Sequence, residues 1–83
     1  MAVATPSPTP NPNAMKFTLD VRLDGMIDVK SVDDAATPFE RSVMELPGVA
    51  ALFGVNDFVT VTRQPGADWD PIVAGVQAAA AQL

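Results

Sequence analysis

Two stretches alternate apolar and polar side chains with a period of two, and they constrain the fold more than any other feature of the chain. In residues 15–22 (MKFTLDVR), Met15, Phe17, Leu19 and Val21 share one face. Lys16, Thr18, Asp20 and Arg22 share the other. Residues 58–63 (FVTVTR) are β-branched and aromatic, and set Val59 and Val61 against Thr60 and Thr62. Only a strand sends successive side chains to opposite faces, so both stretches predict strands with one buried side. Each needs a partner strand and a covering layer, because a lone strand leaves its backbone and apolar face open.

The partners are legible nearby. Asp24-Gly25 is a turn signal, and a weaker alternation (Ile27 and Val29 against Asp28 and Lys30) predicts a second, edge-like strand over 26–32. The apolar run 49–53 (VAALF) predicts a strand that pairs with 58–63 through Gly54-Val55-Asn56-Asp57, where Gly54 and Asn56 can take positive φ.

Helices supply the covering layer. Thr37-Pro38-Phe39-Glu40 combines a cap, a proline at the first helical position and a glutamate three residues past the cap, which closes a capping box. Phe39, Val43 and Leu46 then recur on one face until Pro47-Gly48 ends the helix. Asp70-Pro71 repeats the cap-then-proline start, with Trp69 placed to pack back across the first turn. Ile72, Val76, Ala79, Ala80 and Leu83 make its apolar stripe. The expected fold is α+β: a two-layer sandwich of about four mainly antiparallel strands, both helices on one face, in the order β-β-α-β-β-α. The four phenylalanines Phe17, Phe39, Phe53 and Phe58 are read as core.

At 83 residues there is one core and one domain. Four of its eight prolines (Pro6, Pro8, Pro10 and Pro12) fall in the first twelve residues. Residues 1–10 (MAVATPSPTP) are therefore expected to be a flexible, extended, poorly packed arm, and residues 11–83 the domain. No repeat of 20–50 residues is visible.

Composition removes whole classes of function. The chain has no cysteine and no histidine. It offers no disulfide, no thiolate nucleophile, no imidazole base, and none of the soft ligands that zinc and iron–sulfur clusters require. Ser31 and Ser42 have no histidine to activate them, so no catalytic residues are expected. The close acidic pairs Asp33-Asp34 and Asp68/Asp70 lack the spacing of an oxygen-ligand cation site, and no metal or other cofactor is expected. The formal charge of −5, with five scattered basic side chains, argues against binding nucleic acid or an anionic membrane. No apolar stretch approaches the ~20 residues of a membrane span, and the first residues lack the features of a secretory or transit peptide. The expected compartment is the cytoplasm.

Three residues are candidates for contact with a partner. Asn11 and Asn13 sit between the prolines and the first strand, where their side chains serve either a partner or the local backbone. Trp69, beside a loop and a helix start, is the aromatic side chain best placed for partial exposure, and an exposed tryptophan is an effective interface anchor.

The segment Thr9-Pro10-Asn11-Pro12-Asn13-Ala14-Met15-Lys16-Phe17 resembles the opening of the Nfu/NifU N-terminal domain family, in which a TPNPN segment leads into a strand carrying Lys-Phe. Leu46-Pro47-Gly48-Val49 with Leu52-Phe53, then Asp57 through Thr62, then Asp68-Trp69-Asp70, are similar to later pieces of the same family in the same order. The likeness runs from Thr9 to Leu83 and departs from the family between Leu19 and Ala36, where this chain is more strand-like. The resemblance implies an accessory or protein-interaction role in iron–sulfur cluster assembly or delivery, with an iron–sulfur carrier or client apoprotein as partner. Cluster binding in the family belongs to a second domain with a Cys-x-x-Cys motif, which this sequence does not contain, so it is not carried over. The alternative is a general protein-interaction module unrelated to iron–sulfur chemistry. Partner enrichment separates the two.

Overall fold

The structure is a computed structural model and describes residues 2–83. Five strands form one antiparallel sheet: β1 (Ala4–Pro8), β2 (Ala14–Leu19), β3 (Ile27–Val29), β4 (Val49–Val55) and β5 (Phe58–Arg63). Their spatial order is β1-β2-β5-β4-β3. Two helices, α1 (Pro38–Met44) and α2 (Trp69–Ala79), complete the α+β sandwich; α1 lies on β4 and α2 reaches β1. A 3-10 turn over Val32–Asp34 precedes α1, and another over Ala80–Gln82 follows α2.

The alternation of each strand sets its register. Phe17 pairs with Val59, Val61 with Leu52, and Leu52 with Val29. All five side chains are buried under the helices. From above, Phe39 and Val43 of α1 and Ile72 and Val76 of α2 fill the layer. Fully burying such side chains contributes roughly 1.5–3 kcal/mol each. That burial is the main favourable term holding the two layers together.

The first ten residues correct the expectation of a loose arm. Of that segment, residue 1 lies outside the described residues. Residues 4–8 form β1, paired with β2 from Ala4↔Leu19 to Pro8↔Met15. The reason lies in the spacing of the prolines. N–H groups two residues apart point to the same edge of a strand, so Pro6 and Pro8 lack donors on one edge only. Val3 donates its N–H to Asp20 Oδ1 (2.8 Å), on the β2 side. That sets the even-numbered positions, prolines included, toward the free edge, where a missing donor costs nothing. A further bond, Ala2 N–H to the Ala80 carbonyl (3.1 Å), ties the segment to the far end of α2. Ala2 and Ala4 are buried. The sheet thus has five strands and not about four.

Two smaller expectations also change. Phe53 is 40 % exposed and Phe58 half-buried, because both point to the sheet face that no helix covers. Lys16 Nζ lies 4.6 Å from the centre of the Phe58 ring, a cation–π contact on that open face. The second helix begins at Trp69 with Asp68, not Asp70, in the cap position. Pro71 is tolerated in the first turn because N–H groups there have no partner within the helix.

Thr37 caps α1 as expected, but the Glu40 side chain reaches one residue beyond the cap N–H that a capping box would use. Glu40 N–H donates to Thr37 Oγ1 (3.2 Å), and Thr37 Oγ1 donates to Glu40 Oε2 (3.0 Å). Glu40 Oε1 accepts from Ala36 N–H (3.1 Å), one residue before the cap.

Gly48 turns the chain from α1 into β4 at φ +88°, and a Cβ there would stand 2.7 Å from Ala67 Cβ. Gly48→Ala is expected to lose about 1–3 kcal/mol of stability, since strain and clash act together. Urea unfolding of the two proteins checks this.

Candidate functional site

The three residues singled out in the sequence meet at one end of the sheet. The loop between β1 and β2 is braced internally: Asn11 Oδ1 accepts the N–H of Asn13 (2.9 Å), an Asx turn. Thr9 Oγ1 lies 2.9 Å from both the Asn11 and Ala14 carbonyl oxygens and is shared between them. The polar residues that interrupt the prolines therefore fix the direction in which the chain enters β2.

A fourth residue, Arg63, joins this loop to the start of α2. Its backbone N–H donates to the Asn13 carbonyl (2.8 Å), and its Nε–H donates to Asn13 Oδ1 (3.3 Å). Its Nη1 donates to the Ala67 carbonyl (2.7 Å). The guanidinium carbon lies 5.2 Å from the Trp69 ring centre. Trp69 Nε1–H then donates to the Pro12 carbonyl (3.2 Å), so that loop, arginine and tryptophan close a circuit. Trp69 and Arg63 are half-buried, whereas Pro10, Asn11 and Pro12 are exposed.

Sequence reading missed Arg63, counting it only as one of five scattered cations. Parity gave a signal. Arg63 follows Val59 and Val61 on the inward face, so the last residue of the strand carries a charge toward the core side and must find acceptors. It finds them in Asn13 and Ala67, beside an aromatic face suited to a planar cation.

The circuit holds no nucleophile and no general base. What it offers is a shaped surface: exposed prolines and Asn11 on a turn that Arg63 and Trp69 hold in place. Trp69→Phe keeps the ring under Arg63 and deletes the donor to Pro12. A loss of about 1 kcal/mol is expected. Urea unfolding measures it, and faster amide exchange at Asn13 and Ala14 locates it. Among the described residues no three Asp or Glu side chains gather to hold a metal ion, and no helix is long and apolar enough to cross a membrane.

Fold and circuit together define a small two-layer α+β domain with one open sheet face and one braced end. The chain belongs to the family of the scaffold protein Nfu/NifU N-terminal domain, whose model matches residues 5–82. The conserved virulence factor C of Staphylococcus aureus (strain bovine RF122 / ET3-1) is 30% identical over 81 residues, 95% of this chain and 22% of the relative. That of Staphylococcus saprophyticus is 32% identical over 80 residues, 94% of this chain and 22% of the relative. The chain thus spans about a fifth of the length of the curated relatives it matches. Among solved structures, the crystal structure of protein SAV1430 from S. aureus superposes with a TM-score of 0.82 at 31% identity, covering 93% of this chain and 96% of that one. The solution structure of SeR13 from Staphylococcus epidermidis gives 0.66 at 26% identity, covering 94% and 93%.

Proposed function

We propose that the chain is a non-catalytic accessory domain of iron–sulfur cluster assembly or delivery, acting in the cytoplasm through contact with a protein partner. The partner is an iron–sulfur carrier or a client apoprotein. The observation that supports this reading is the conjunction of Nfu/NifU N-terminal membership with a sequence that has no cysteine and no histidine. Such a donor set does not fit a cluster, which is held by thiolates or, in part, by imidazoles. The braced end carrying Asn11, Asn13 and Trp69 is the contact surface in this proposal, with Trp69 the anchor.

The second reading is a general interaction module unrelated to clusters. It is favoured by the name of the curated relatives, conserved virulence factor C.

The test is affinity enrichment of the tagged chain from lysate with quantitative mass spectrometry, run beside a Trp69→Ala variant. Cluster-assembly or cluster-containing proteins should be enriched by the native chain and less by the variant. Enrichment confined to proteins without cluster chemistry would transfer support to the second reading.

A further inference from the structure

At the opposite end of the strands from the Trp69 circuit lies a half-open hollow of about 540 Å³. Its apolar wall includes Val21, Leu23, Phe39 and Leu83, and Met26 stands at its rim, 68 % exposed. The wall is held in place. Leu23 N–H donates to the Asn56 carbonyl, and the missing side chain of Gly54 leaves room for the Leu23 methyl, which would sit 3.0 Å from a Cβ there.

Glu40 also lines the hollow and, among the described residues, is the one charged side chain that is buried, 7 % exposed. Its carboxylate accepts from the Ala36 N–H and the Thr37 hydroxyl, and both donors are neutral. A carboxylate held by neutral donors can still take a charge-assisted hydrogen bond from a cation that enters the open side of the hollow. Arg22 and Asp24, also in the lining, are both solvent-exposed and of opposite sign. With Glu40 the three leave one net negative charge, within a chain of formal charge −5.

We propose that this hollow receives a basic side chain, lysine or arginine, from a protein partner. The aliphatic stem would lie against Val21, Leu23 and Phe39, and the cationic head would meet Glu40. Long basic side chains bury their aliphatic stems along apolar surface in this way, and a carboxylate gives the head a charge-assisted hydrogen bond. Methionine at the rim adapts to stems of different shape. The inference deepens the partner-binding reading by giving the chemistry of the partner, and rests on it for biological meaning.

Small probes test the hollow without any partner, so its failure is separable from failure of the enrichment experiment. The full chain is titrated with Nα-acetyl-arginine amide, Nα-acetyl-lysine amide and, as the uncharged control, Nα-acetyl-norleucine amide, and followed by amide chemical shifts. The basic probes should give saturable shifts at Leu23, Met26 and Glu40, with Kd about a millimolar, the range open to ligands of this size. Glu40→Gln keeps a side-chain acceptor for the Ala36 N–H and removes the charge. It should weaken binding about tenfold or more. Met26→Lys places a cation at the rim from an exposed position and should weaken it similarly, which keeps the test open should Glu40→Gln not fold. Absence of saturable shifts, an equal response to the norleucine probe, or unchanged affinity in a folded variant would overturn the proposal.

Discussion

Replacing Phe17 with alanine is expected to unfold most of the protein at physiological temperature. Phe17 is fully buried in β2, between Pro6 of β1 and Val59 of β5. It sits where the helical layer meets an interior strand of the sheet, so neighbouring side chains cannot collapse into the gap without moving the ladder. Deleting a buried phenylalanine costs about 3–5 kcal/mol. Single domains have total stabilities of about 5–15 kcal/mol, and small ones sit toward the lower end. Little should remain. Circular dichroism melting should show a transition lowered by tens of degrees or none, with collapsed amide dispersion by NMR. Phe53→Ala is the control. Its side chain lies on the open face and is 40 % exposed, so its loss should be much smaller.

The second large effect follows from the N-terminal segment. A variant lacking residues 2–8 removes β1 and with it the Ala2–Ala80 and Val3–Asp20 bonds, the bond from Gln77 Nε2 to the Ala4 carbonyl, and the ladder to β2. At about 1 kcal/mol per internal hydrogen bond, those three bonds alone amount to about 3 kcal/mol, before the ladder and the burial of Ala2 and Ala4 are counted. The variant should also self-associate. β2 would become an edge strand, and its free edge would lack the prolines that now make the sheet edge a poor template for another strand. Urea unfolding and sedimentation velocity measure the two effects. A loose arm at this position would predict no change in either.

The fold was legible where periodicity and capping speak plainly. The alternation in MKFTLDVR and FVTVTR placed β2 and β5, and Thr37-Pro38 with Glu40 placed the start of α1. It was hidden where the pattern is carried by something other than hydrophobicity. β1 contains small residues and two prolines, and only the two-residue spacing of those prolines marks it as an edge strand. The run VAALF conceals an alternation in which Leu52 faces the core and Phe53 faces away, since alanine fits either side. The candidate site was half-legible. Asn11, Asn13 and Trp69 stand out as residue types in unusual places. The link between them runs through Arg63, fifty residues from Asn13 in sequence, and exists only because β2 pairs with β5.

That the chain works by surface contact and carries no cluster of its own is tested most directly by anaerobic reconstitution. The purified protein is incubated with ferrous iron and sulfide under reducing conditions, desalted, and assayed for iron, sulfide and visible absorbance. A colourless protein with only trace iron and sulfide is the predicted result. A coloured monomer that retains stoichiometric iron and sulfide would contradict it.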